Sequence, residues 1–240
     1  MNKIVDSISV FFPTYNEEGN IRNTVISARK VLEEISNNWE IIIINDGSTD
    51  NSLAISEELS KEDKRIRILS HQKNRGYGAS LKSGFYNSKY PWICFTDSDG
   101  QFNFSEIKNF FSKQKQENAD LVIGYYLGRK VSLFTIITSK IWEVIVFLFF
   151  GMKVKDTDCG FKLVSKKVID SIDKLKSERG AFISSELLIK AKKKGFKIAQ
   201  VGVRHYPRKK GKGTGRDIRV IMKSFIDLIK LWIKLNFSKK

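Results

Sequence analysis

The sequence predicts an α/β fold, a mostly parallel central sheet flanked by helices. Three observations predict it. Short runs of aliphatic and aromatic residues alternate with stretches of helical periodicity, the signature of β-α-β units. Polar, turn-forming clusters follow the strands, at Thr14 to Glu17, Asn45 to Asp50 and Asp97 to Gln101. Open parallel sheets build their sites at those carboxyl ends. No Ser/Gly/Pro-rich linker, internal repeat or low-complexity tract divides the 240 residues, and 41% hydrophobic content suits one folded core.

The elements follow in order. Ile8 to Phe12 is an apolar strand ended by Pro13, and after the turn Asn16 to Asn20 a helix is spaced by Ile21, Val25, Ala28, Val31, Leu32 and Ile35. Trp39 to Ile44 is an isoleucine-rich strand stopped by Asn45-Asp46-Gly47-Ser48. Asp50 can cap the next helix, whose inward side is Leu53, Ala54 and Leu59. Arg65 to Leu69 is a third strand, Gly78 to Ser88 a helix, and Trp92 to Thr96 a fourth strand. The second half is less regular. Strands are expected at Asp120 to Gly124 and Lys197 to Val203, with a turn and strand within Asp156 to Val164. Helices are expected at Ser132 to Phe150, Ser184 to Lys194 and, beyond the basic loop His205 to Arg216, at the C-terminus.

Charge and cysteine usage narrow the functional classes. The formal net charge is +17, and from Lys190 onward seventeen Lys/Arg face only Asp217 and Asp227. Such an excess points to a polyanionic partner: nucleic acid, a phosphorylated substrate or anionic lipid. Cys94 and Cys159 are too few for a disulfide framework or a self-sufficient zinc site, and fit a reducing compartment. Lys3 and Asp6 interrupt the start, so it does not read as a secretory signal. Lys140 and Glu143 break the apolar run Ser132 to Phe150, which argues against a membrane span. In the tail, Ile221, Phe225, Leu228, Ile229, Trp232 and Leu235 form a stripe among Arg219, Lys223, Lys230 and Lys234. That pattern predicts a helix lying on anionic lipid.

Asp97-Ser98-Asp99 is the strongest chemical signal. Two carboxylates one residue apart at a strand end can turn toward one cation, with Gly100 permitting a tight turn and Gln101 adding a neutral oxygen. Oxygen donors suit Mg²⁺ or Mn²⁺ bound to a diphosphate. Arg75-Gly76-Tyr77-Gly78 lacks dinucleotide-motif spacing, and no phosphate-binding loop of the Gly-x-x-x-x-Gly-Lys type occurs.

Six segments in order carry a resemblance: Pro13 to Glu18, Asn45 to Asp50, Asn74 to Ala79, Asp97 to Phe102, Asp156 to Lys162 and His205 to Arg208. With them the chain resembles the family 2 glycosyltransferases of the Rossmann-like GT-A fold, in the group of dolichyl- and polyprenyl-phosphate sugar synthases. The resemblance implies a catalytic domain at 1–216 and an interfacial helix at 217–240. It implies inverting transfer from a nucleotide sugar, GDP-mannose or UDP-glucose foremost, to a lipid phosphate. Pro13, Thr14, Tyr15, Glu17, Asp46, Arg75, Asp97 and Ser98 would hold the donor, and Asp97, Asp99 and Gln101 the metal. Asp97, Asp99, Arg129 and Arg208 would carry catalysis; Asp158, Glu186, His205, Arg208 and Lys210 would meet the acceptor. The chain has Asn45 where the family usually has Asp, and Tyr125-Tyr126 where an arginine is common. The expected setting is the cytoplasmic side of a membrane, peripheral or monotopic, with a membrane subunit or a second copy as further partner. Two other readings are weighed. A saccharide hydroxyl as acceptor would need a general base such as Asp158. A basic nucleic-acid-binding module leaves the Asp97-Ser98-Asp99 turn unexplained.

Overall fold

The computed structural model describes residues 3–128, 133–178, 180, 182–208 and 218–237, and the backbone alone at 133–139 and 218–223. Arg129 and Lys210 lie outside the described residues, as do the side chains of Arg219, Ile221 and Lys223. The first half runs β1 (Val5–Thr14), α1 (Ile21–Ile35), β2 (Ser36–Asn45), α2 (Ser52–Glu62), β3 (Ile66–Ser70), α3 (Tyr77–Asn87) and β4 (Trp92–Thr96). The second half runs α4 (Ile107–Glu117), β5 (Leu121–Leu127), α5 (Leu133–Phe150), β6 (Phe161–Ser165), α6 (Lys166–Ser171), α7 (Phe182–Lys193), β7 (Ile198–Arg204) and α8 (Ile218–Phe237).

The strands form one seven-stranded sheet in the order β3-β2-β1-β4-β6-β5-β7. The chain steps outward from β1 to β2 and β3, then returns to pair β4 in parallel on the other side of β1. This reversal opens a crevice at the carboxyl ends of β1 and β4. Pro13 to Glu17 and Asp97 to Gln101 therefore face each other although separated by six elements. β6 runs antiparallel to both β4 and β5, with Cys94 opposite Leu163 and Val122 opposite Leu163. That departure from a parallel sheet matters to the site, because it delivers the turn before Phe161 beside the end of β4. Two helices, α4 and α6, have no counterpart in the sequence reading. Only Ile107, Phe110 and Phe111 of α4 are buried, among lysines and glutamines, which leaves a weak periodic signal.

Both sheet faces are buried, so successive residues of one strand enter different cores. Val10 and Phe12 pack with α1 and α4, including Val25, Leu32 and Phe110. Phe11 joins Leu81 and Phe85 of α3 and Leu187 and Leu188 of α7 on the other face. Its ring meets Phe85 edge-on at 5.1 Å and stacks on Phe95 at 5.5 Å.

Glu40 is a charge inside this framework, with only 1% of its surface exposed. It accepts hydrogen bonds from Ser9 Oγ (2.6 Å), Lys89 N (2.9 Å) and Arg67 Nε (2.8 Å), tying β1, β2, β3 and the α3–β4 connection together. Burial pushes its carboxyl upward, but these donors outweigh it and hold the group below its ordinary value of 4.5. A depressed folded value contributes stability that is present above the unfolded value and lost as pH falls through the folded one. Glu40→Gln is therefore expected to cost about 2 kcal/mol at pH 7. In denaturant titrations the gap to the parent should close as pH drops below 4.5; a gap independent of pH would refute the assignment.

α5 and α8 pack through Trp142 on Phe225 (5.3 Å) and Phe149 on Trp232 (5.7 Å). The tail helix is thus divided differently from the single stripe read in the sequence. Leu228 and Leu231 are buried, whereas Ile226, Ile229, Ile233 and Phe237 stay exposed. Ile141, Val144 and Leu148 are exposed on α5 at the same helical spacing. Lys140 and Glu143 pair with each other at 2.6 Å. Among the described residues no helix is long and apolar enough to cross a membrane.

Candidate active site

One wall of the crevice is a floor of two interlocked loops. Asn16 N donates to Ser48 Oγ (3.1 Å), Glu17 N to Ser52 Oγ (2.7 Å) and Glu18 N to Asp50 Oδ2 (3.1 Å). In return Thr49 N donates to Asn16 Oδ1 (2.8 Å) and Asn51 N to Glu18 Oε2 (3.0 Å). Asp50 also takes the Ser52 amide at 2.9 Å, a turn one residue outside the helix cap expected for it. Thr14 is buried, its carbonyl accepting from Asp46 N at 2.9 Å, while Tyr15 keeps 37% of its surface exposed in the crevice. Pro13 contributes its carbonyl oxygen to Ser98 Oγ at 2.8 Å.

Asp46, expected to contact the nucleotide, is buried at the end of β2 and bonded to the loop ahead of α3. Its Oδ1 accepts from Arg75 N (2.9 Å) and lies 2.6 Å from His71 Nδ1, and its Oδ2 accepts from Gly76 N (2.8 Å). His71 Nε2 reaches Ser83 Oγ of α3 at 2.9 Å. The carboxylate braces the loop ahead of α3, and His71 is part of that brace rather than an incidental residue after β3. Arg75 turns its side chain to Glu178 at 3.1 Å, where Lys82 also binds at 2.6 Å.

The opposite wall carries Asp97 and Asp99. Ser98, between the two carboxylates, anchors this turn to the Pro13 carbonyl through its hydroxyl. Asp97 Oδ1 accepts from Tyr77 OH at 2.9 Å. Burial, and next the charge of Asp99, push the Asp97 carboxyl up to about 7. Asp99 Oδ1 accepts from Gln101 N at 3.0 Å, and its Oδ2 from Arg208 Nη2 at 2.8 Å. The other prong of Arg208 reaches Glu17 Oε1 at 2.7 Å, so one guanidinium spans both walls. Burial works against that charge, but Asp99 and Glu17 hold it, raising the guanidinium above its ordinary range.

The donor set fits a hard divalent cation. Burial, with a second carboxylate beside it, makes the charge of Asp97 costly without a cation, and a cationic group already lies on the second carboxylate. Gln101 is close by, its amide donating to Tyr206 O at 2.9 Å. Among the described residues no three His, Cys, Asp or Glu side chains cluster to hold a metal alone. A diphosphate and water would complete the sphere, as suits Mg²⁺ or Mn²⁺.

The antiparallel strand β6 brings in the third segment. A Cβ on Gly160 would lie 2.1 Å from Asp97 Oδ2, so only glycine lets this turn rest on the carboxylate. Asp156 Oδ1 accepts from Asp158 N (2.8 Å) and Cys159 N (3.0 Å), shaping the turn, and Thr157 Oγ1 donates to Asp158 Oδ1 (3.2 Å). Below it Lys162, fully buried, donates to the Cys159 carbonyl. Glu186 is not among these groups. It is buried at 2% exposure and accepts from Lys176 N, Ser177 N (2.9 Å) and Lys190 Nζ (2.6 Å). It is a local ion pair that shapes the 173–177 segment, which corrects the acceptor contact expected for it. His205 packs edge-on against Tyr126 (4.7 Å) and Phe102 (5.5 Å), beside the Gln101–Tyr206 contact. Tyr77, His71 and Lys162 were not singled out as site residues by sequence reasoning. Tyr77 and Lys162 do lie inside motif segments that were recognised.

Comparison with known proteins bears on the family and the fold. Residues 9–172 match the glycosyl transferase family 2 profile. The chain is 30% identical over 219 residues to a dolichyl-phosphate beta-glucosyltransferase of Saccharomyces cerevisiae, covering 82% of this chain and 66% of that protein. It is 27% identical over 238 residues to a dodecaprenyl-phosphate galacturonate synthase of Rhizobium johnstonii, covering 97% of this chain and 68% of that one. The chain thus spans about two thirds of the length of these curated relatives. Among solved structures, glucosyl-3-phosphoglycerate synthase from Mycobacterium tuberculosis, in complex with Mn²⁺, UDP and glucosyl-3-phosphoglycerate, superposes with a TM-score of 0.70. It is 19% identical, covering 95% of this chain and 79% of that one. The shared architecture is the GT-A fold. By the extent of the profile match and the order of its site segments, the chain belongs to glycosyl transferase family 2.

Proposed function

We propose that this chain transfers a sugar from a nucleotide sugar to a polyprenyl or dolichyl phosphate at a membrane surface, with inversion at the anomeric carbon. The observation that carries the reading is Arg208 lying across Glu17 and Asp99 beside Asp97. It sets a guanidinium where a diphosphate leaving group and an anionic acceptor would meet. The names of the two relatives, both prenyl-phosphate sugar transferases, support the same acceptor class.

The chemistry then follows from charge. An acceptor phosphate oxygen is already anionic near neutral pH, so no side chain has to remove its proton. Its attack forms the new carbon–oxygen bond while the bond to the donor diphosphate breaks and the electron pair leaves with the nucleoside diphosphate. Asp97 and Asp99 would hold Mg²⁺ or Mn²⁺, with Gln101 nearby; such an ion supplies neutralisation of the diphosphate as it departs. The interlocked floor fixes the nucleotide end, and Tyr15 offers it an exposed ring. Arg208 leaves Asp99 to balance substrate charge. Gly160 keeps the Asp156 to Cys159 turn against Asp97, so the acceptor-side Asp158 and the cation site share one rigid wall.

The exposed faces of α5 and α8 support a peripheral seat on lipid. Ile141, Val144 and Leu148 with Ile226, Ile229, Ile233 and Phe237 offer two apolar stripes on packed helices. Nearby lysines suit anionic headgroups.

A donor-by-acceptor assay tests the reading, using GDP-mannose, UDP-glucose and further nucleotide sugars against matched polyprenol and polyprenyl phosphate with Mn²⁺ or Mg²⁺. Product with the phosphorylated lipid alone is the expected result. Transfer to a saccharide hydroxyl with none to lipid phosphate would refute it and bring Asp158 forward as a base.

A further inference from the structure

Tyr77 donates a hydrogen bond to Asp97, and neither the motifs nor the metal chemistry assign it a role. Its hydroxyl donates to Asp97 Oδ1 at 2.9 Å. The ring reaches this spot because of how α3 begins. Gly76, with φ of 101°, turns the chain so that Tyr77 becomes the first residue of the helix. That φ lies in the region few residues other than glycine adopt. The turn itself is pinned from below. Asp46 takes the amides of both Arg75 and Gly76, and His71 links Asp46 to Ser83 further along α3. Gly78, next to Tyr77, lies so close to the carbonyl of Ser177 that a Cβ there would be 2.7 Å from it. The start of α3 is therefore held from both sides.

Resting on the reading that Asp97 and Asp99 hold a divalent cation, we infer that Tyr77 is a positioning residue for that cation, and that Asp46 and His71 position Tyr77. One oxygen of Asp97 is fixed by the hydroxyl. The other, Oδ2, packs against Gly160, where an added Cβ would lie 2.1 Å from it. A carboxylate held through one oxygen presents the remaining lone pairs in a single orientation, which is how outer hydrogen bonds tune metal ligands. On this inference Asp46 acts on the metal through the loop it braces, and its loss would be felt there.

The test reads metal binding directly. Free Mn²⁺ is followed by electron paramagnetic resonance while the full chain is titrated, with UDP and GDP each as the nucleotide. Tyr77→Phe keeps the ring and removes only the hydroxyl, and is expected to weaken Mn²⁺ binding by about 10- to 100-fold. Metal-free nucleotide binding, measured by calorimetry, should stay within about twofold of the parent. His71→Ala should shift Mn²⁺ affinity in the same direction. His71→Asn, whose amide can still donate to Asp46, should restore it, which a general loss of packing would not do. Mn²⁺ binding by Tyr77→Phe equal to the parent overturns the assignment. No Mn²⁺ binding by the parent chain with either nucleotide instead overturns the metal reading, and this assignment with it.

Discussion

Replacing Asp97 by Asn is expected to lower kcat/KM for sugar transfer by about a thousandfold, equivalent to about 4 kcal/mol of transition-state stabilisation. The substitution is isosteric, and the Tyr77 hydroxyl can still donate to the amide oxygen, so packing against Gly160 survives. What is lost is the negative charge that, on the proposed reading, would hold a divalent cation beside the leaving group. Asp99→Asn should lose a comparable factor but with an added signature. It also releases one prong of Arg208, which is held by Asp99 at 2.8 Å in the donor-free chain. Steady-state kinetics with varied Mn²⁺ check the pair: both variants should need far more metal for half-maximal rate. Wild-type rates in Asp97→Asn, at unchanged metal dependence, would remove this carboxylate from the chemistry.

Arg208→Ala should produce two effects of opposite sign. Transfer should fall by about 10²- to 10³-fold, because a cation aimed at developing phosphate charge is gone. Mn²⁺ affinity without nucleotide should rise, because Glu17 and Asp99 then lose their internal counter-ion. An arginine acting only as a structural strut would weaken both. Arg208→Lys keeps the charge but cannot bridge two carboxylates with a planar fork, so it should restore part of the rate and little of the clamp. Transfer kinetics together with a metal titration separate these cases. A fall in metal affinity for the alanine variant would show that the guanidinium does not compete with the cation for Asp99.

Which features could be read in advance follows from range along the chain. The strands up to Thr96 were legible because each carries its own apolar run and its own stop. Asp97 and Asp99 were legible as a pair because a single turn holds both. The direction of β6 was not, since an apolar five-residue strand reads the same whichever way it runs; only pairing with Cys94 and Val122 fixes it. The Arg208–Glu17 contact joins residues 191 apart, and nothing local in either segment announces the other. Glu186 misled for the same reason. A glutamate in a helix looks available until the backbone amides of Lys176 and Ser177 are seen to fold back onto it. Asp46 stood out as an acid in a turn, but its partners, His71 and the amides of Arg75 and Gly76, come from a loop 25 to 30 residues away.

The interlocked floor has a thermodynamic consequence. Amides from the β1 loop end on side chains of the β2 loop and the reverse, at Asn16, Glu17, Glu18, Thr49 and Asn51. Neither loop can move without unmaking bonds from the other, so their ordering cost is met when the chain folds rather than when the donor arrives. On the proposed function, nucleotide capture would then resemble docking onto a finished surface, with discrimination among bases coming from shape already present. Those five amides should accordingly exchange with solvent deuterium as slowly in the empty protein as in the nucleotide-bound one. Whatever adaptation the reaction needs is left to the wall opposite, where a single guanidinium bridges the gap.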